Sequence, residues 1–355
     1  MVSASCSLSI LAARTDLPFL MQTVPHIVRG CNFQFRDRLL AVDTAPLSGD
    51  KVNRPGIGTL DELHQCCHQL KDAGVVDRVV DIDYSESYRK KVYRKHFGFP
   101  IRNSHNHKGY PILGTIFSIE NPQTDYLVHF DSDMLLHSEP DYSWVEAGIK
   151  LLQQNPDVIA VRPLTGPPTS DGSIHQRVAY EYDPNGFYRF KFFSSRVYLI
   201  DCKRFEKLLP LPALWRSYNQ KILNRLPNGI KTILNYLTNK GQLDSWEVMV
   251  SRRLEETHYV RATMESPQAW TIHPKDRNPE FLEALPDIIK YIEAGWYPMA
   301  QAGYYDLDLK SWLPIPAGAA EAEQKDKNWK PIWLRTPIKY QAYPKIQTVE
   351  TEPKN

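Results

Sequence analysis

Long apolar runs are missing from this 355-residue chain, and no stretch approaches the roughly 20 consecutive apolar residues that cross a bilayer, so no transmembrane anchor is expected. No secretory signal peptide opens it. Cysteine is sparse and unpaired in pattern: Cys6, Cys31, Cys66, Cys67 and Cys202 are odd in number, scattered and without zinc-site spacing. Together these features point to a reducing cytoplasm. Neither sign of charge is in excess, since 43 Lys and Arg face 41 Asp and Glu, and a net +2 makes too weak a field to imply nucleic acid. Any anion site must therefore be local. The Gly-rich, basic phosphate loop that usually marks a nucleotidyltransferase is absent near the first strand, and there is no internal repeat.

What is present is an ordinary globular balance, 42% hydrophobic and 24% charged. Single cores usually stop growing at about 250–300 residues, so the length fits one α/β domain with an elaboration, or two domains. Cys6 to Ala13 reads as a buried strand, and Asp16-Leu17-Pro18 starts a helix with Leu17, Leu20, Met21, Val24, Ile27 and Val28 at helical spacing. Residues 39–43 form a second strand ending on Asp43. Thr59-Leu60-Asp61-Glu62 is a capping box opening a helix that ends near Gly74, and residues 76–82 form a third strand. Helices over 85–96 and 111–119 precede a strand at 126–130, and a helix over 144–154 leads into a strand at 158–161. This alternation predicts a mixed, mostly parallel sheet covered by helices, whose ligands bind beyond the carboxyl ends of the strands.

Later segments are less regular. Residues 187–200 suggest one or two strands, 244–256 a helix, 259–264 a strand and 279–294 a helix before a Pro-rich tail. Residues 212–226 and 228–239 are amphipathic. The sequence from 214 to 240 mixes Trp215, Leu223, Leu226, Ile230, Ile233, Leu234 and Tyr236 with Arg216, Lys221, Arg225, Lys231 and Lys240. Such a segment can close over a cleft as a lid or lie on an anionic membrane.

The strongest chemical signal is Phe130-Asp131-Ser132-Asp133-Met134, two carboxylates flanking one small residue directly after an apolar strand. Where the strand breaks, both carboxylates can turn toward one point, and Ser132 leaves room for a hard divalent cation and a diphosphate. A bound Mg²⁺ or Mn²⁺ offsets the charge that grows on a departing nucleoside diphosphate. Solvated turn acids are the alternative.

With alternating strands and helices ahead of it, Asp131-Ser132-Asp133 resembles the DxD motif of GT-A glycosyltransferases, particularly the inverting, family 2-like group, over residues 7–274. The resemblance implies a Rossmann-like GT-A fold with an acceptor-side elaboration, divided into a nucleotide-sugar half (1–165), an acceptor-binding and catalytic half (166–275) and a C-terminal helix with a Pro-rich extension (276–355). It implies a hexosyltransferase-type enzyme that takes a nucleoside diphosphate sugar donor and passes the sugar to a carbohydrate or lipid-linked hydroxyl, with Mn²⁺ or Mg²⁺ as cofactor and peripheral membrane contact open. On the donor side it places Ala13 and Arg14 in the first nucleotide-contacting segment, Asp43 against the base, and Lys108 in a loop lining the donor site. Arg14 can equally lie on the surface and Asp16 merely cap the helix. Asp131 and Asp133 become metal ligands, joined by His273 in Ala269-Trp270-Thr271-Ile272-His273-Pro274, and an imidazole ligand tilts the metal toward Mn²⁺.

An inverting transfer also needs a base for the acceptor hydroxyl. Counting back from Arg253-Leu254 places Glu247 where the family carries its catalytic acid, although Trp246 stands where a preceding acid is usual, and Asp244 is the rival. Both acids can instead serve the helix N-terminus as cap and dipole partner. His64 and His68 share a helix face without a third ligand and read as solvated. A nucleotidyltransferase, a retaining transferase and a non-catalytic sugar-nucleotide or carbohydrate-binding module on the same scaffold remain alternatives.

Overall fold

CSLSILAA is apolar or small at every position, which suits a strand covered on both sides, and β1 (Cys6–Ala13) is buried along its whole length. The structure, a computed structural model, describes residues 5–54, 56–216, 221–275 and 277–313; the expected Pro-rich tail lies outside these residues from 314 onward. Following β1 come α1 (Leu17–Gly30), β2 (Asp37–Asp43), α2 (Leu60–Asp72), β3 (Arg78–Asp81), α3 (Glu86–Phe97), α4 (Leu113–Glu120) and β4 (Tyr126–Asp131). The chain continues through β5 (Leu135–Ser138), α5 (Trp144–Gln154), β6 (Val158–Arg162), β7 (Leu164–Thr165), β8 (Tyr180–Asp183), β9 (Phe187–Phe190), β10 (Val197–Asp201) and α6 (Cys202–Glu206). Last are α7 (Lys221–Asn224), α8 (Asn228–Thr238), α9 (Trp246–Glu255), β11 (Val260–Met264), β12 (Ala269–Ile272), α10 (Pro279–Glu293) and α11 (Leu309–Trp312).

Nine strands form one sheet in the order β3-β2-β1-β4-β10-β6-β11-β9-β8. Only β10 and β9 run against the rest, so the sheet is mixed and mostly parallel, flanked by helices. Side-chain alternation divides the core: Leu8, Ile10 and Ala12 pack with Leu20, Val24 and Ile27 of α1, Leu63 of α2 and Trp144 of α5. Leu11, Leu39 and Ala41 point the other way, onto Tyr93, Ile116, Phe205 and Trp246. A second sheet, β5-β12-β7, carries α10 through Leu135, Trp270 and Ile272 against Phe281, Leu285 and Ile288.

Several boundaries move. The third strand is only Arg78–Asp81, and the helix expected from 111 begins at Leu113. The Thr59 box forms as expected, with Thr59 Oγ1 accepting from the Glu62 N–H and Glu62 Oε2 accepting from the Thr59 N–H. Asp16 does not cap α1: its side chain makes no capping bond and turns instead into the interior. Met21, expected on the inner stripe of α1, is exposed.

His26 of α1 ties three elements together. Its Nε2 accepts from the Leu136 N–H of β5 at 3.0 Å, so Nδ1 carries the proton and donates to Glu293 of α10 at 2.8 Å. Burial is the main cause lowering the His26 pKa below its ordinary 6.5; Glu293 opposes the shift, while Arg29 and His137 add to it. Below that ordinary value the unfolded chain binds the extra proton and the folded one resists it, so stability is expected to fall as pH drops through about 6.5. Glu293, held at about 2 chiefly by His26, adds its own loss only below about 4.5. Melting temperatures between pH 7.5 and 5.5 test this, at roughly 2–4 °C for each kcal/mol lost. In His26→Gln, whose amide can both donate and accept but not titrate, that slope should flatten; an unchanged slope rejects the assignment.

Candidate functional site

The chain leaves β1 toward β2 and β3, then returns to pair β4 on the other side of β1, so the crevice at the carboxyl ends of β1 and β4 is a topological switch point. A cleft of about 590 Å³ opens there. Because β10 is antiparallel to β4, its beginning meets the end of β4: Val197 pairs Phe130, and the Asp131 N–H donates to the Arg196 carbonyl at 2.8 Å. Ser195 and Arg196 thereby join the Asp131-Ser132-Asp133 turn in the cleft wall.

Within that turn the three side chains do different things. Ser132 is buried and its Oγ donates to Asp16 Oδ2 at 2.8 Å, so it fastens the turn to the end of β1 rather than only making space. The same Asp16 oxygen accepts from the Ala13 N–H at 2.9 Å. Asp133 is buried and paired with Arg277. Burial alone would raise its pKa, but Arg277 and then His273 hold it well below the ordinary carboxylate range. Asp131 stays partly open, its side chain 37% exposed and 3.5 Å from His129 Nε2.

His273 arrives through the small sheet. The register pairs Ile272 of β12 with Leu135 of β5, which brings the next residue beside the turn before β5. Its Nε2 lies 3.6 Å from Asp133 Oδ2, and its Nδ1 lies 3.3 Å from Asp306 Oδ1. A carboxylate behind an imidazole fixes the ring's orientation and tautomer, leaving the other nitrogen to face the cleft.

Among the described residues no three His, Cys, Asp or Glu side chains are gathered closely enough to hold a metal as they stand. The donor chemistry nevertheless fits a divalent cation. Asp133 Oδ1 is buried with no hydrogen-bond partner among the described residues, beside His273 and on the same turn as Asp131. Two carboxylates and an imidazole suit Mn²⁺.

Across the cleft, Glu247 sits in the first turn of α9. Its Oε2 accepts from the Ser195 N–H at 2.9 Å and from Ser195 Oγ at 3.3 Å. The cap of α9 is Ser245, whose Oγ accepts from the Val248 N–H, so Asp244 does not cap the helix. Asp244 Oδ2 lies 3.7 Å from Arg216, and both residues line the cleft. Trp246 points the other way, edge-on to Phe193 in the core. Burial works against the Arg196 guanidinium, yet Tyr305, Asp131, Asp133 and Glu247 more than offset it and hold its pKa above the ordinary value.

On the donor side two loops cross at close quarters. Gly49 has φ +57° and Gly109 φ +81°, and a side chain at either would strike the other loop's backbone. Asn106 Oδ1 accepts from the N–H groups of Lys108 and Tyr110, which shapes the second loop. Lys51 and Lys108 line the cleft as a result.

Of the expected residues, Ala13, Lys108, Asp131, Ser132, Asp133, Asp244, Glu247 and His273 share this one cleft, whereas Arg14 and Asp43 do not line it. Arg14 lies half-buried in a single tight turn. Asp43 is buried behind the wall, accepting from Tyr84 at 2.6 Å and the Ala45 N–H, with His105 at 3.2 Å and Lys51 at 3.9 Å. Burial alone would raise its pKa; His105, Lys51 and Tyr84 keep it below the ordinary value. The sequence reading missed Arg196, Arg277 and Asp306 and took Asp16 for a cap. The only local signals were a Ser-Arg pair breaking the 187–200 strand run and a cation four residues past His273.

No family model matches the chain, and no curated protein matches it in sequence. Among solved structures it is similar to GalNAc-T7 with UDP, GalNAc and Mn²⁺, at 11% identity and TM-score 0.41, covering 76% of this chain and 44% of that one. It is similar also to an active-site mutant of LgtC, at 12% identity and TM-score 0.31, over 73% of this chain and 71% of that one. A third is the mannosyltransferase PcManGT from Pyrobaculum calidifontis with GDP-Man and Mn²⁺, at 11% identity and TM-score 0.32, over 59% and 50%. The chain spans less than half the length of the first.

Proposed function

We propose that this protein is a GT-A type glycosyltransferase that moves a sugar from a nucleoside diphosphate donor to an acceptor hydroxyl, with inversion and with a divalent cation. The observation that carries the reading is the convergence, at the switch point, of a strand-end Asp131-Ser132-Asp133 turn with a mixed-charge cleft. Among the described residues seven Lys and Arg (Lys51, Arg54, Lys108, Arg196, Arg216, Lys275, Arg277) line it with five acids (Asp16, Asp131, Asp133, Asp244, Glu247). A near-neutral protein has here a local surplus of cations for a diphosphate.

Asp131, Asp133 and His273 would hold the cation, Mn²⁺ in preference to Mg²⁺, and when bound it offsets charge growing on the departing diphosphate. Residues 1–165 supply the donor side, where Lys51 and Lys108 can meet phosphate oxygens and Asp43 acts through Lys51 and His105 as a positioning residue. Residues 166–275 supply the acceptor side. There Glu247, fixed through one oxygen by Ser195, takes the proton of the attacking hydroxyl, with Asp244 as the rival.

Melting curves with UDP-, GDP- and dTDP-sugars, each with and without Mn²⁺, test the reading without knowledge of the acceptor. The matching donor with Mn²⁺ at about a hundred times its Kd adds ~2.7 kcal/mol, a shift of roughly 5–10 °C. A panel in which no sugar nucleotide moves the transition sinks the proposal. Release of pyrophosphate from a sugar phosphate and a nucleoside triphosphate would transfer it to nucleotidyl chemistry.

A further inference from the structure

An amphipathic helix normally turns its apolar stripe inward; α8 does the reverse. Its buried residues are Thr232 and Asn235. Thr232 Oγ1 accepts from Trp215 Nε1 at 2.9 Å and donates to the Asn228 carbonyl, while Asn235 Nδ2 donates to Asn103 Oδ1 and the Lys240 carbonyl. The polar seam thus pins the helix to the protein. Ile230, Ile233 and Leu237, spaced i, i+3 and i+7, face outward at 45%, 51% and 67% exposure, and Ile222 of α7 is 79% exposed.

The charge carried by this segment is of one sign. Residues 207–243 contain six Lys and Arg and no Asp or Glu. Arg225 and Lys240 are exposed, and Arg216 is half open at 51%. We infer that the outward stripe of α7 and α8, with these cations around it, seats the protein on the surface of an anionic lipid bilayer. Apolar side chains enter the headgroup boundary while Arg and Lys meet lipid phosphates. The charge pattern favours a membrane over a second copy of the chain, because a two-fold interface would set this acid-free segment against itself. Among the described residues no helix is long and apolar enough to cross a membrane, so the contact is peripheral.

The placement has a consequence for the cleft. α7 and α8 hang from a paired stem in which the Arg216 N–H donates to the Gln242 carbonyl at 2.8 Å and the Asp244 N–H donates to the Leu214 carbonyl at 2.9 Å. Arg216 and Asp244 are cleft residues, so docking α8 holds the acceptor wall near the lipid surface.

The test is flotation of the full chain with vesicles of phosphatidylcholine alone or phosphatidylcholine mixed with phosphatidylglycerol, and it does not depend on catalysis. Binding is expected to the mixed vesicles and to fall steeply as salt is raised above about 0.1 M. The double variant Ile233→Gln, Leu237→Gln changes only exposed side chains, so its melting temperature should match the parent while vesicle binding weakens by about tenfold or more. Arg225→Gln with Lys240→Gln should lose the preference for phosphatidylglycerol. No binding by the parent chain, or binding unchanged in the Ile233/Leu237 variant, overturns the inference. So does a concentration-dependent dimer that this variant abolishes, which would reassign the face to a contact between copies.

Discussion

Asp131→Asn is expected to slow release of the nucleoside diphosphate from the donor by on the order of a hundredfold or more, with a melting temperature close to the parent's. The substitution removes one negative charge and weakens one hard oxygen ligand at the point where the cation would sit, while keeping the shape of the side chain. Asp131 suits the test because its side chain is 37% exposed and lies 3.5 Å from the His129 ring rather than in a buried pair with a guanidinium. Asp133 suits it less. Removing its charge would leave the Arg277 guanidinium, whose side chain is only 14% exposed, with the more distant Asp16 at 3.5 Å as its remaining ion-pair partner, and breaking a buried pair costs up to about 3–5 kcal/mol. Lost activity in Asp133→Asn would therefore mix chemistry with folding. The assay follows donor hydrolysis with Mn²⁺, so no acceptor is needed. Rates and Mn²⁺ response both unchanged in Asp131→Asn would remove this residue from the metal site.

The same contrast shows which parts of the molecule were legible in sequence. β1, β4, α5 and the Thr59 box depend on neighbouring residues, such as a continuous apolar run or a cap three residues from its partner, and these appeared close to where they were expected. The strand-end acids were legible for the same reason. β5, β7 and β12 are two to four residues long and exist only because they pair with one another across more than a hundred positions. No local pattern announces them, although β12 is what delivers His273. Asp16 was misread because the residue before Leu17-Pro18 has the composition of a cap, whereas its tertiary partners, Ser132 and Arg277, stand 116 and 261 positions away. Arg196 and Arg277 reach the site from connecting loops, where a long side chain leaves no periodic trace.

Glu247→Gln separates binding from chemistry. The amide oxygen can still accept from the Ser195 N–H and hydroxyl, so the first turn of α9 and the cleft wall should keep their form. Donor-induced stabilisation should then remain near that of the parent chain. Transfer, measured with whichever member of a carbohydrate and lipid acceptor panel supports it in the parent, should fall by roughly 10²–10⁴-fold, because an amide cannot take the proton of the attacking hydroxyl. Asp244→Asn is the paired measurement. Asp244 already faces Arg216 at 3.7 Å and accepts from the Ser245 N–H, so its loss should act mainly on how the acceptor is held, raising KM more than it lowers kcat. The reverse pattern, transfer intact in Glu247→Gln and abolished in Asp244→Asn, would move the base one helical turn back along the chain. Donor hydrolysis adds a further check: water does not depend on the acceptor pocket, so a Glu247→Gln enzyme that hydrolyses donor at the parent rate yet fails to transfer would mark Glu247 as acting on the acceptor alone.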